Sequence, residues 1–134
     1  LPNSIAELEH LRALTLEDNC KIKRLPNSIC KLQNLLFLSL RGCMELETLP
    51  KGFGMLISLQ HLHITTKQSI LSEDEFASLS NLHTLTVEYC DKLKFLFRRA
   101  QLTSLEVLTV QSCGSLESLP LHILPKLGGS ICNK

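Results

Sequence analysis

The sequence has no tryptophan, one tyrosine and five phenylalanines, so aromatics make up only 4% of it. So few rings beside so much leucine point to a fold that repeats one packing position many times. Charge of either sign is not in excess: 14 Lys and Arg stand against 13 Asp and Glu, for a net charge of +1. That balance gives no electrostatic case for nucleic acid or an anionic membrane surface. No run of about 18 apolar residues is present, so nothing reads as a membrane span. The opening LPNSIAELEH lacks both a basic start and an apolar stretch, which excludes a signal peptide. It also lacks an initiator Met and reads as an excised or processed piece. No G-x-x-x-x-G-K-[ST] occurs, so nucleotide binding through a P-loop is not expected. What the chain has is leucine, at 30 of 134 positions, within a 44% apolar composition that argues against disorder. The length fits one domain or part of one.

The leucines are periodic. LPNSI at 1–5 returns as LPNSI at 25–29, and a first leucine recurs at Leu8, Leu32, Leu56, Leu79 and Leu102, at intervals of 24, 24, 23 and 23. Within each unit the phase is kept, as in Leu32, Leu35, Leu38 and Leu40 or Leu102, Leu105, Leu108 and Val110. Three residues past the last of these lie Asn19, Cys43, Lys67, Cys90 and Cys113. The pattern is L-x-x-L-x-x-L-x-L-x-x-N/C-x-x-L, that of a leucine-rich repeat.

It predicts an α/β solenoid. The x-L-x-L-x segment alternates with period two and forms a short strand. The strands stack in parallel on the concave face of a curved right-handed arc, with loops and short helices on the convex face. No unit can bury its leucines without a neighbouring layer. Asn19, Cys43, Cys90 and Cys113 form a turn ladder whose side chains donate to buried carbonyls of the loop. Lys67 breaks that ladder, so its charge must snorkel outward or the turn must change. Leu-Pro at the convex links suits a tight turn or an extended connection. The third unit lacks Pro and carries Ser72-Glu-Asp-Glu75 before Phe76, a capping-box pattern that predicts a short helix near 73–78. The array is read as 1–124, about five repeats truncated at both ends. The tail, 125–134, is read as irregular, either a degraded sixth unit or coil.

The stretches LFLSLRGCMELETLP at 36–50 and LEVLTVQSCGSLESLP at 105–120 resemble the repeats of plant nucleotide-binding leucine-rich-repeat disease-resistance proteins. LPKGFGMLISLQHLHITTKQ and NLHTLTVEYCDKLKFLF are similar to the coiled-coil class of that family. The Gly-x-Ile-Pro of the plant extracellular type is absent. The resemblance implies a cytoplasmic, non-catalytic recognition module. Its partner would be a pathogen effector, a modified host protein or the receptor's own nucleotide-binding domain, which the repeats hold inactive. A signalling scaffold of the plant Ras-group-like kind, or a stand-alone repeat protein, is the alternative. Three Cys against one Asn in the ladder favour the receptor.

Strand alternation places three rows on the concave face. They are Ala13, Phe37, His61, Thr84, Val107; then Thr15, Ser39, His63, Thr86, Thr109; then Glu17, Arg41, Thr65, Glu88, Gln111. Glu17 and Arg41 are placed to pair. Aromatics and Arg dominate binding hot spots, so Glu17, Phe37, Arg41, His61, His63, Glu88 and Tyr89 are the candidate contact residues. His61 and His63 could chelate, but no carboxylate shares their strand, and structural zinc takes four ligands. No metal or cofactor is expected. The six cysteines do not form a paired framework and read as reduced thiols. No Cys/His spacing supports a nucleophile. Arg98-Arg99 reads as a solvated basic loop, able in a larger receptor to meet an acidic patch. Uncapped end layers could also self-associate end to end.

Overall fold

The computed structural model describes residues 1–99 and 101–118, together with the backbone of 129–133. Six strands make one parallel sheet in chain order: β1 (Ala13–Thr15), β2 (Phe37–Ser39), β3 (His61–Ile64), β4 (Thr84–Glu88), β5 (Val107–Gln111) and β6 (Gly129–Asn133). The register follows the leucine phase. Leu14, Leu38, Leu62, Leu85 and Leu108 stack across the sheet, as do Thr15, Ser39, His63, Thr86 and Thr109. β6 pairs along β5 from Val107↔Gly129 to Gln111↔Asn133. Within the tail, Gly129–Asn133 is thus a strand. Leu119-Pro120 and the other tail residues lie outside the described residues.

The chain returns on the convex side through short turns. Pro2 and Pro26 are extended, at φ −78° and −65°, and each leads into a 3₁₀ turn, Asn3–Glu7 and Asn27–Lys31. A third such turn, Phe53–Met55, follows Gly52 at φ +91°. Where Pro is missing, the helix α1 (Glu73–Ala77) forms, close to the predicted 73–78. Its capping box does not form. Ser72 makes no side-chain cap, and the Glu75 carboxylate instead accepts from the Gly54 N–H at 2.7 Å in the preceding layer. An inter-layer donor competes successfully with the local one.

The leucines fill the space between strands and convex turns. Leu35, Leu40, Leu46, Leu56, Leu59 and Leu85 are fully buried, whereas Leu11, Leu14, Leu16 and Ile22 of the first layer are only partly buried. Among the described residues, no further layer stacks on the outer face of that first one. Three rings reinforce the convex side. Phe53 and Phe76 lie 5.4 Å apart, and Phe76 and Phe97 5.0 Å apart, all three buried and tilted as aromatic pairs prefer. Ile5, Ile29, Phe53 and Phe76 are in phase, but the next phase position is Arg99, which is exposed. Phe97, two residues earlier and at φ +50°, supplies the ring instead.

Polar ladders lie along both sides of the strands. The Cys43 thiol donates to the Leu16 carbonyl at 3.2 Å, Cys90 to Ile64 at 3.9 Å, and Cys113 to Val87 at 3.7 Å. Each thiol thus serves the layer before its own. Asn19 is exposed and donates locally to Glu17 O at 3.3 Å. On the opposite side Asn34 donates to Glu9 O and Asn81 to Ile57 O, both at 2.8 Å, and Ser104 donates to Ser80 O. That second ladder falls two residues after the first leucine of three units.

Each described turn that carries a ladder Asn or Cys needs a left-handed residue just before it: Asp18 (φ 58°), Gly42 (79°), Tyr89 (58°) and Ser112 (53°). The third layer has Thr66 there, outside the left-handed region, and its turn is different. Lys67 reaches outward to Glu45 at 2.9 Å. Two buried hydroxyls take over the donor role, Thr65 to Glu88 O at 2.8 Å and Thr66 to Leu46 O at 3.2 Å. Both outcomes expected of Lys67 occur together.

Candidate interaction surface

The concave rows sit in the predicted register, but they are not uniformly open. Ala13, Phe37, His61, Thr15 and Glu17 are exposed, Phe37 at 39%. Ser39, Thr65 and Glu88 are buried, which corrects the reading of all three rows as solvent-facing. The correction has a physical cause. The Thr65 side chain is short, and its hydroxyl is occupied by the Gly42 N–H at 3.0 Å and the Glu88 carbonyl. It leaves room above β3 for longer neighbours to cross.

Arg41 crosses it. Its Nε lies 3.1 Å from Glu88 Oε2, two strands away, and the same oxygen lies 2.8 Å from His63 Nε2. With Glu88 ionised it can only accept, so Nε2 carries the proton in this contact. The expected Glu17–Arg41 pair does not form. Glu17 accepts from the Ser39 hydroxyl at 2.8 Å, while Arg41 adds a longer approach to Asp18 at 4.0 Å. Glu88, then Tyr89, raise the Arg41 pKa above its already high value, so the guanidinium stays charged. Its plane also lies 5.7 Å from the Tyr89 ring centre.

Tyr89 is held at the surface by strained backbone. A bulky residue at positive φ is uncommon and costs energy, and such positions concentrate at functional sites. Here the strain places the only tyrosine of the chain against the only arginine of the concave cluster. Five of the seven candidates thus occupy one surface: Arg41, His63, Glu88 and Tyr89 as a bonded group, and Phe37 on β2 beside them. His61 pairs Phe37 in register, but its side chain joins none of the described hydrogen bonds, and Glu17 sits at the β1 edge of the cluster.

No carboxylate is expected beside the two histidines, but the structure places one there. Glu88 belongs to another row, yet it reaches His63. Among the described residues, no three His, Cys, Asp or Glu side chains are gathered. The described chain likewise contains no helix long and apolar enough to cross a membrane. Arg98 and Arg99 are exposed, as read; Arg98 stacks on Phe95 at 4.5 Å, and the Arg99 N–H meets Glu73 at 3.1 Å. A cleft of about 630 Å³ opens on the convex side, lined by Leu25, Pro50, Phe53 and Phe76 with Arg24 and Lys51 among its polar residues. Sequence periodicity gave no sign of it. It lies where the Leu-Pro link gives way to α1, away from the concave cluster.

A parallel stack of leucine-filled layers with donor ladders at the turns is a leucine-rich-repeat solenoid. The family described as leucine-rich repeat region matches residues 1–127, and the chain belongs to it. Among solved structures the chain is similar to a leucine-rich-repeat protein of Leptospira interrogans. The two are 27% identical with a TM-score of 0.55, over 90% of this chain and 33% of that one. The chain thus spans about a third of that protein's length. It is also similar in fold to the leucine-rich-repeat domain of the type III effector XopL, at 18% identity and a TM-score of 0.53, over 98% of this chain and 72% of that one. No curated protein matches. The fold class is one of protein-interaction modules.

Proposed function

We propose that this chain is the partner-sensing repeat region of a plant intracellular immune receptor of the nucleotide-binding, coiled-coil class. Its concave cluster docks a pathogen effector or a modified host protein. The observation that carries the docking reading is the cluster itself: an exposed Phe37 beside a charged, cross-strand Arg41–Glu88–His63 group capped by a strained Tyr89. The Cys turns and Leu-Pro links support the plant assignment. Cytoplasmic residence goes with it, as does a contact in which the repeats hold the receptor's nucleotide-binding domain inactive. Asn19 and the Leu-Pro ends also fit a Ras-group-like scaffold or a stand-alone repeat protein.

The test starts with the full transcript. An upstream P-loop domain supports the receptor reading; a start codon one or two repeats before Leu1 overturns it in favour of the stand-alone protein. The full-length product is then expressed in leaves and pathogen-triggered ion leakage is measured. Phe37→Ala and Arg41→Ala abolish the response, and the convex change Lys51→Ala does not. Reversing Arg98 and Arg99 to Glu releases the response without pathogen if that loop contacts the nucleotide-binding domain; an unchanged baseline refutes that contact. Sedimentation of the isolated repeats tests end-to-end association, which predicts a mass that rises with concentration.

A further inference from the structure

The ladder places two thiols together. Cys90 and Cys113 occupy the same position in successive layers, two residues beyond the Glu88↔Gln111 pair that closes the β4–β5 ladder. Each follows a left-handed residue of nearly equal φ, Tyr89 at 58° and Ser112 at 53°, so the two turns run in step past the strand ends. Their Cα atoms therefore stay near the strand separation of about 4.8 Å, within the roughly 4.4–6.8 Å that a disulfide spans. Both are fully buried, and the Cys113 thiol reaches back to the Val87 carbonyl, in the layer of Cys90, at 3.7 Å. No other described pair repeats this. Cys43 is separated from Cys90 by the Lys67 layer, Cys30 lies on the convex link, and Cys20 is exposed.

We propose that Cys90 and Cys113 are a redox-sensitive pair, which a hydroperoxide converts to a disulfide stapling β4 to β5. The Cys113 thiolate attacks the peroxide oxygen, forming a sulfenic acid and releasing alcohol or water. The Cys90 sulfur then displaces the hydroxyl as water. Two thiols and one hydroperoxide yield one disulfide, one alcohol and one water; the sulfurs are oxidised and the O–O bond is reduced. The two sulfurs are not equivalent. The neighbouring Cys90 thiol lowers the Cys113 pKa, whereas Cys113 and burial raise that of Cys90, so Cys113 is the nucleophile. Burial makes the reaction depend on opening of these layers, so it is slower than modification of exposed Cys20. The staple closes directly beside Glu88 and Tyr89.

The experiment treats the whole chain carrying Cys20→Ser with hydrogen peroxide at low protein concentration, alkylates the remaining thiols, and maps peptides by mass spectrometry. The expected result is one linked pair, Cys90 with Cys113, reversed by a reductant. Unfolding of the oxidised, unreduced protein shifts to higher urea, and the shift disappears on reduction. In Cys90→Ser the linked peptide is lost. A link from Cys113 to Cys132, over-oxidised Cys113 without a link, or Cys90 and Cys113 both still alkylatable after Cys30 has reacted each overturn the proposal. The mapping and the urea shift need only the parent fold, so they decide the matter even if Cys90→Ser is poorly folded.

Discussion

Single residues decide how each turn closes. Asp18, Gly42, Tyr89 and Ser112 share one left-handed position, and only Gly42 is suited to it without strain. Ser112 is exposed and makes none of the described side-chain hydrogen bonds, so Ser112→Gly should stabilise the fold by about 1 kcal/mol. Gly42→Ala should do the opposite and by more, because its Cβ would collide with the Asp18 carboxylate as well as adopt a strained φ. Urea midpoints for the two variants check this, and equal midpoints would remove the argument. The same position was only half legible from sequence. Asp and Gly are residues a left-handed turn selects, but nothing in the periodicity marks Tyr89. Thr65 was hidden for a related reason. Alternation says which side of the strand a residue leaves, not whether a hydroxyl folds back onto its neighbours' backbone and clears a path for Arg41.

Elements inherit these choices. The convex turns are held by rings, and Phe76 touches both Phe53 and Phe97. Phe76→Ala should therefore cost about 3–5 kcal/mol, whereas Phe37→Ala, on an exposed ring, should stay within about 0.5 kcal/mol while removing partner binding. Thermal unfolding of the two variants separates a core ring from a contact ring. The turn of the third layer carries a pH signature. A hydrogen bond from Lys67 and the charge of that ammonium hold the Glu45 carboxyl below its ordinary value. A carboxyl lowered in the folded state contributes stability above its unfolded pKa and loses it as pH falls through the folded one. Stability should thus rise with pH across the carboxylate range, and Lys67→Met should flatten part of that rise. A stability-against-pH curve that is unchanged in Lys67→Met would dismiss the pair. The strand positions, the helix near 73–78 and the special status of Lys67 were all readable, because each is a spacing. The Glu75–Gly54 bond and the Phe97 substitution for the in-phase Arg99 were not, since both join residues through the third dimension against the local signal.

At the scale of the whole molecule, burial is a property of layers, and so is stability. Leu62 lies between β2 and β4 and is 2% exposed, while Leu14 holds the same phase in the first layer and is only partly buried. Leu62→Ala should cost about 2–5 kcal/mol, because it opens a cavity that close neighbours cannot fill. Leu14→Ala should cost clearly less, since part of that side chain already faces solvent and the site can collapse. Hydrogen exchange gives the same gradient without mutation: the amides of β3 and β4 should exchange most slowly and those of β1 fastest. Fusing a polar capping repeat ahead of Leu1 lays a further layer on β1, and should slow β1 exchange and raise the cost of Leu14→Ala toward that of Leu62→Ala. If β1 stays fast beneath such a cap, the partial burial of Leu11, Leu14 and Leu16 is not what weakens the first layer, and nearest-neighbour stacking does not govern this array.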